Sequence, residues 1–248
     1  MMKKPNIEYS HFRIKKRKNS YRNIYAPSEE LKAYQNYLLR KLYLVSPHKV
    51  NHGFIPNKSI VTNALPHVGK NWVLSLDISN FFPSTTKPKL VKIIDRFYPN
   101  QKENIDYFLY KNHIPQGAPT SPYLANFALY DFDEQLNEYC VSEDISYTRY
   151  ADDLTFSYNA TSLKSLLIYI NTLISEYGYR INRRKTKIMP KHKRQIVTGI
   201  IVNEKINIPK NIKNLTRALK HVSKKQDLKN YSEEWLSGMN GYESMIKI

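Results

Sequence analysis

The chain has 248 residues, 41% hydrophobic and 12% aromatic, enough apolar surface for one large domain or a few subdomains around a shared core, and this excludes whole-chain disorder. Its formal charge is +18, from 39 basic against 21 acidic residues, an excess that repels itself unless a polyanion takes it up, nucleic acid ahead of an anionic membrane surface. No apolar run reaches the ~20 residues of a membrane span, Met1 to Arg22 is too basic for a signal peptide, and the single cysteine, Cys140, excludes an internal disulfide or a cysteine zinc cluster and makes a reducing cytoplasm the expected location.

Near the N-terminus, Arg13, Lys15, Lys16, Arg17, Lys18 and Arg22 form a first basic cluster. From Trp72 to Ile78 the residues alternate, with Trp72, Leu74, Leu76 and Ile78 on one face, which predicts a half-buried strand carrying Asp77. Ser121 followed by Pro122 predicts a helix start, since proline in the first turn gives up no hydrogen bond; one helix is expected through Leu124, Phe127 and Leu136 to about Tyr139. Tyr147 to Tyr158 alternates on both sides of Ala151-Asp152-Asp153, a hairpin pattern with the acidic pair at or beside its tip. Thr161 is the expected cap of a helix through Leu163, Leu166, Leu167, Ile170, Leu173 and Ile174, ended by Gly178.

A second basic cluster runs from Arg180 through Arg183, Arg184, Lys185 and Lys187 to Arg194, and short strands are expected at Arg194 to Asn203 and Ile206 to Ile208. The C-terminal stretch predicts a helix with Ile208, Ile212, Leu215, Leu219 and Val222 as its apolar stripe, and Lys213, Arg217, Lys220 and Lys224 about a quarter turn away. A lone basic run is ordinarily a solvated face. Three of them, interleaved with Tyr, predict a surface that tracks a nucleic-acid backbone.

Asp77 at a strand end and Asp152 and Asp153 on a hairpin place three carboxylates at strand ends. Like charges that close raise one another's pKa and destabilise the fold unless a cation binds. Such an all-oxygen set suits magnesium or manganese, and two ions about 3.5–4 Å apart activate a 3′-hydroxyl and stabilise a leaving pyrophosphate. An Asp-Asp pair alone is ordinary turn chemistry, so the flanking residues decide.

Those flanks carry a resemblance. Tyr150-Ala151-Asp152-Asp153 resembles the YxDD signature of reverse transcriptases, Leu76 to Ser84 their first catalytic motif, and Ile114 to Pro122 their nucleotide-pocket motif, in the family's order, with similarity from about Phe12 to Gly199. The resemblance implies an α+β right-hand polymerase with fingers, a palm built on a ferredoxin/RRM-like antiparallel sheet with helices, and a short helical thumb. The fingers are expected at roughly 1–70 with 95–118, the palm at 71–206 around that insertion, and the thumb at 207–248. It implies RNA-directed DNA polymerase activity with Asp77, Asp152 and Asp153 catalytic and, with Ile78, in the metal site for two Mg2+ ions, Mn2+ being the alternative. Phe82 matches the aromatic that excludes a ribose 2′-hydroxyl, one of Phe81 and Phe82 being core. Gln116 matches the contact to the incoming sugar, and Gly117 allows close backbone approach. Lys16 and Arg22, with Lys15 competing for the first place, match the basic pair that grips the triphosphate of a deoxynucleotide. Lys185 matches the family's lysine near the catalytic strands, with a template-backbone contact as its other reading.

Asn63-Ala64-Leu65-Pro66-His67 fits the NAxxH pattern and Val197-Thr198-Gly199 the VTG pattern of retron reverse transcriptases. That branch implies a bacterial enzyme extending DNA from a 2′-hydroxyl of a structured noncoding RNA, with phage defence as its setting, an effector or accessory protein as a possible partner, and no membrane. Asn63, His67, Lys185, Val197, Thr198, Gly199, Lys213, Arg217 and Lys220 are then the expected RNA and template contacts. The other readings of His67 and Gly199 are a satisfied core histidine and a strand bend. Many retron enzymes carry a longer N-terminal lead and a longer thumb, so a minimal thumb completed by RNA or a partner is expected here. The rivals are a non-retron bacterial reverse transcriptase, of another defence system or of group II intron type, a catalytically inactive RNA-binding scaffold, and a four-stranded RNA-binding module, for which no RNP-like aromatic motif is found.

Overall fold

The structure, a computed structural model, describes residues 3–16, 21–159, 164–224 and 241. It opens with a two-stranded antiparallel ribbon, β1 (Tyr9–Lys15) and β2 (Tyr21–Pro27), running from Tyr9 opposite Pro27 to Lys15 opposite Tyr21. The ribbon occupies the stretch that reads in sequence as a basic cluster; Arg17 and Lys18 lie outside the described residues. Helix α1 (Glu29–Leu42) starts where the Ser28 hydroxyl accepts from the Leu31 N–H, and it buries Leu31, Tyr34, Leu38 and Leu42. A short α2 (Ile60–Ala64) is opened by a reciprocal cap between Ser59 and Thr62.

The central strand β3 (Trp72–Asp77) is followed by one turn, α3 (Phe81–Ser84), and by α4 (Lys87–Phe97). Helices α5 (Ser121–Phe127) and α6 (Tyr130–Ser142) lead into β4 (Ser146–Tyr150) and β5 (Asp153–Tyr158). Then come α7 (Lys164–Glu176), β6 (Lys187–Pro190), the two-residue strands β7 (Ile196–Val197) and β8 (Ile200–Ile201), and α8 (Lys210–Lys224). The main sheet has the order β4-β5-β3-β6, with every neighbouring pair antiparallel.

One face of β3 buries Leu74 and Leu76, and Ile78 just beyond it, in the large core with Leu154, Phe156 and the inner faces of α4 to α7. Val73 faces the other way into a smaller cluster with Val61, Ala64, Val197, Ile200 and Val202. The strand is therefore covered on both faces, where alternation predicts one, because α2 and the β7–β8 hairpin fold over the second; burying a valine there is worth about 1.5–3 kcal/mol.

The helix expected through Tyr139 is broken at Ala128 and Leu129, which puts fully buried Leu129 into the core. The acidic hairpin is present. The expected Thr161 cap falls outside the described residues. On α8 the inward residues are Ile208, just before it, and Thr216, 1% exposed, while Leu215, expected in the stripe, is 38% exposed. The side chains of Leu219, Lys220, Val222 and Lys224 lie outside those described.

Candidate active site

Antiparallel register sets the three carboxylates beside one another. The last residue of β3, Asp77, pairs with the first of β5, Asp153, which pairs in turn with Tyr150, so Ala151 and Asp152 form a two-residue turn next to Asp77. Ala151 takes the left-handed region at φ 57°, where glycine is the usual occupant. It is held there from below: the His52 N–H donates to the Arg149 carbonyl, the Arg149 N–H to the Val50 carbonyl, and a Cβ on Gly53 would lie 2.7 Å from the Ala151 nitrogen. The Ile78 N–H donates to the Asp152 carbonyl at 2.9 Å, locking the turn to β3. Asn182 donates to Asp77 twice, from its backbone to the carbonyl at 2.7 Å and from its side chain to Oδ1 at 3.2 Å. Lys185 Nζ sits 2.6 Å from Asp77 Oδ2.

Burial, with the charge of Asp77 adding to it, raises the Asp152 carboxyl above its ordinary value. Burial first, then Asp152 and Asp77, pushes Asp153 up to about 6. Lys185 moves up, chiefly through its bond to Asp77. Among the described residues no three acidic, histidine or cysteine side chains are gathered closely enough to cage an ion. The donor chemistry nevertheless fits a hard divalent cation: the donors are all oxygen, two carboxyls are raised by burial and then by neighbouring negative charge, and a lysine ammonium lies against Asp77 as a counter-charge.

Above the carboxylates lies a cleft of about 990 Å3. Its floor holds Asp77, Ile78 and Asp152, with Asp153 outside the lining. Lys16, Arg22 and Ile24 of the ribbon form one wall, Arg183, Arg184 and Lys185 another. Lys16 lines the cleft and Lys15 does not. Phe81 is 2% exposed and belongs to the core, and Phe82 stands edge-on to it and faces the cleft. Gln116 and Gly117 line the cleft as well. The Tyr25 N–H donates to the Gln116 carbonyl at 2.7 Å, and a Cβ on Gly117, at φ 129°, would meet the Tyr25 carbonyl oxygen at 2.7 Å, so glycine is what lets the ribbon latch there. Phe54, 49% exposed at φ 59° and near Tyr150, also lines the cleft, and no sequence signal marked it.

The expected RNA contacts divide. Asn63 and His67 are fully buried and Val197 is 1% exposed, so these three are corrected to interior residues. The two ring nitrogens of His67 lie 2.7 Å from Ser157 Oγ and 2.8 Å from Thr148 Oγ1, and burial lowers its pKa to about 3. Asn63 Nδ2 donates to Thr198 Oγ1, whose hydroxyl donates to the Ile60 carbonyl. Thr198 and Gly199, both with positive φ, make the two-residue turn between β7 and β8. The two motifs thus meet as one internal joint. Lys185 lines the cleft, where it reaches Asp77, as its place near the acidic strands implies. Lys213 is half-buried and Arg217 exposed on α8.

The family described as "Reverse transcriptase (RNA-dependent DNA polymerase)" matches residues 14–222. The Retron Ec86 reverse transcriptase of Escherichia coli is 38% identical over 195 residues, covering 75% of this chain and 60% of that one. The Retron Ec83 reverse transcriptase of Escherichia coli is 30% identical over 264 residues, covering 98% and 85%. Among solved structures, telomerase from Candida albicans in complex with a TWJ fragment of telomeric RNA aligns with a TM-score of 0.62 at 13% identity, covering 94% of this chain and 54% of that one, a likeness of fold. The chain spans about 60% of the length of several curated relatives.

Proposed function

The chain belongs to the reverse transcriptase family, among the retron reverse transcriptases, and from that premise we propose that it is an RNA-directed DNA polymerase that copies a structured noncoding RNA into DNA. The observation that carries this reading is the pairing of Asp77 with Asp153 beside the Asp152 turn, under a cleft with basic walls. Its fold, helices around an antiparallel sheet, is that of the right-hand polymerases, and we assign the fingers to 1–70 and 95–118, the palm to the rest of 71–206 and the thumb to the residues from 207.

Asp77, Asp152 and Asp153, with Ile78 alongside, would hold two divalent ions, Mg2+ or Mn2+. Such a pair, when bound, would supply positive charge to the priming hydroxyl oxygen and to the departing pyrophosphate. Lys16 and Arg22 grip the triphosphate from the ribbon, and Gln116 meets the sugar. Phe82 closes the space a 2′-hydroxyl would need. Lys185 offsets the charge on Asp77. Lys213, Arg217 and Lys220 are the phosphate contacts we assign to α8, and Thr198 and Gly199 the RNA contacts we assign to the β7–β8 turn, while Asn63, His67 and Val197 stay in the interior. The RNA and its DNA product, joined as in msDNA, an effector protein, a cytoplasmic setting and a role in phage defence complete the proposal. No helix among the described residues is long and apolar enough to cross a membrane.

Primer extension by Asp152→Asn tests the assignment. Incorporation is expected to fall by about 10³-fold or more with the unfolding midpoint retained; full activity in that variant refutes the site.

A further inference from the structure

Beneath the acidic turn lies a charged group with no part in the chemistry above. Arg149 immediately precedes Tyr150, and its side chain is fully buried, as is that of Asp133 on α6. Every N–H of the guanidinium has an acceptor. Nε donates to Asp133 Oδ1 at 2.9 Å and one terminal nitrogen to Asp133 Oδ2 at 2.5 Å. That nitrogen also donates to the Asn126 carbonyl at 3.0 Å, and the other donates to Asn126 Oδ1 at 3.2 Å and to the Ala151 carbonyl at 3.0 Å. Asp133 is satisfied in turn by the Tyr147 hydroxyl at 2.8 Å and by Asn51 Nδ2 at 2.9 Å, and Asn126 Nδ2 reaches the Gly53 carbonyl at 2.8 Å.

Burying such a pair costs several kcal/mol per ion, and apolar residues of similar volume are often as stable or more so, so stability alone is a poor reason for it. An apolar pair would make none of the bonds to Asn126 or to the Ala151 carbonyl, and the last of these bears on the acidic turn. That peptide belongs to the residue held at positive φ, and its orientation sets where Asp152 begins. The same Arg149 is gripped through its backbone by Val50 and His52, so the 50–53 segment, α5 and α6 all converge on one carbonyl.

We propose that Arg149, oriented by Asp133 and Asn126, is a positioning residue that clamps the Ala151 carbonyl and so fixes the Asp152 carboxylate relative to Asp77. The catalytic consequence rests on the polymerase reading; the clamp itself does not.

The test is the double substitution Arg149→Met with Asp133→Leu, which removes both charges together and leaves neither stranded. The single Arg149→Lys variant accompanies it, keeping the charge without the fork. Two readouts are taken. The first is hydrogen exchange at the Ile78 amide, whose acceptor is the Asp152 carbonyl. The second is steady-state primer extension. In the double variant the Ile78 amide is expected to exchange about tenfold faster with the global unfolding midpoint unchanged or raised. The kcat is expected to fall about 100-fold with KM for the deoxynucleotide changed less than about threefold, the size a small misplacement of a reacting group produces. Arg149→Lys should fall between. Unchanged exchange at Ile78 overturns the clamp whether or not the protein polymerises, and so does faster exchange accompanied by global destabilisation. Wild-type protein that extends no primer overturns the polymerase reading alone, and faster exchange with full kcat overturns the positioning role.

Discussion

Replacing Asp153 by Asn is expected to stabilise the ion-free protein while impairing its chemistry. Burial and the charges of Asp152 and Asp77 lift this carboxyl from 3.8 to about 6. A carboxyl raised on folding holds its proton more tightly in the folded chain, so its favourable contribution is complete below about pH 3.8 and is lost as the pH rises through about 6. At about 1.4 kcal/mol per pKa unit that gap corresponds to about 3 kcal/mol. Asp153 is only partly buried, and solvent screening reduces the expected figure to about 1–2 kcal/mol. In a chain of this length that raises the unfolding midpoint by roughly 2–8 °C. The assay is thermal unfolding in a chelator: at about pH 7.5 the Asn variant should melt above wild type, and near pH 4 the difference should close. Added magnesium should raise the wild-type midpoint more than the variant's. A variant that melts no higher than wild type at the upper pH, or keeps its advantage at the lower, refutes the account of three repelling carboxyls.

Gly117→Ala places a Cβ 2.7 Å from the Tyr25 carbonyl oxygen at φ 129°. It should cost about 1–3 kcal/mol and raise KM for the deoxynucleotide by loosening the ribbon; an unchanged KM counts against the latch. His67, lowered by burial to about 3, leaves the unfolded chain to take up a proton first, so its stability contribution is lost as pH falls from about 6.5 toward 3. His67→Gln should therefore flatten urea-unfolding stability over that range while costing about 1–3 kcal/mol near neutrality through the Ser157 and Thr148 bonds, and an unaltered slope with pH would contradict a neutral buried ring. Phe82→Val should raise ribonucleotide use relative to deoxynucleotide use by about tenfold or more in a competition assay, and unchanged selectivity would remove Phe82 as the gate.

The acidic hairpin and β3 were legible because period-two alternation and a two-residue turn are local signals. The ribbon was not: in His11-Phe12-Arg13-Ile14-Lys15 the alternation is present, but the cations dominate the reading, and with exposed Phe12 and Ile14 no buried face announces a strand. The break after Phe127 falls at Ala128 and Leu129, both good helix formers, so it is set by where Leu129 packs rather than by any breaker. Arg149, which no sequence signal marked, owes its role to Asp133, sixteen positions upstream on a different element. Asn63 looks like a recognition group in sequence, and His67 could be read either so or as a satisfied core histidine, because burial of a polar side chain depends on partners such as Thr198, Ser157 and Thr148 that only folding supplies.

The opposition of Asp77 and Asp153 has a bearing on which length changes this chain tolerates. In a pleated strand each added or lost residue inverts every side chain beyond it. Leu154 and Phe156, aligned with Leu76 and Leu74 in the core, prevent β5 from sliding, and the acids one step along inherit that discipline. Deleting a single amino acid inside either strand would therefore abolish the centre although every one of its acids was still encoded. Oil on the hidden face keeps time for the chemistry at the strand's end.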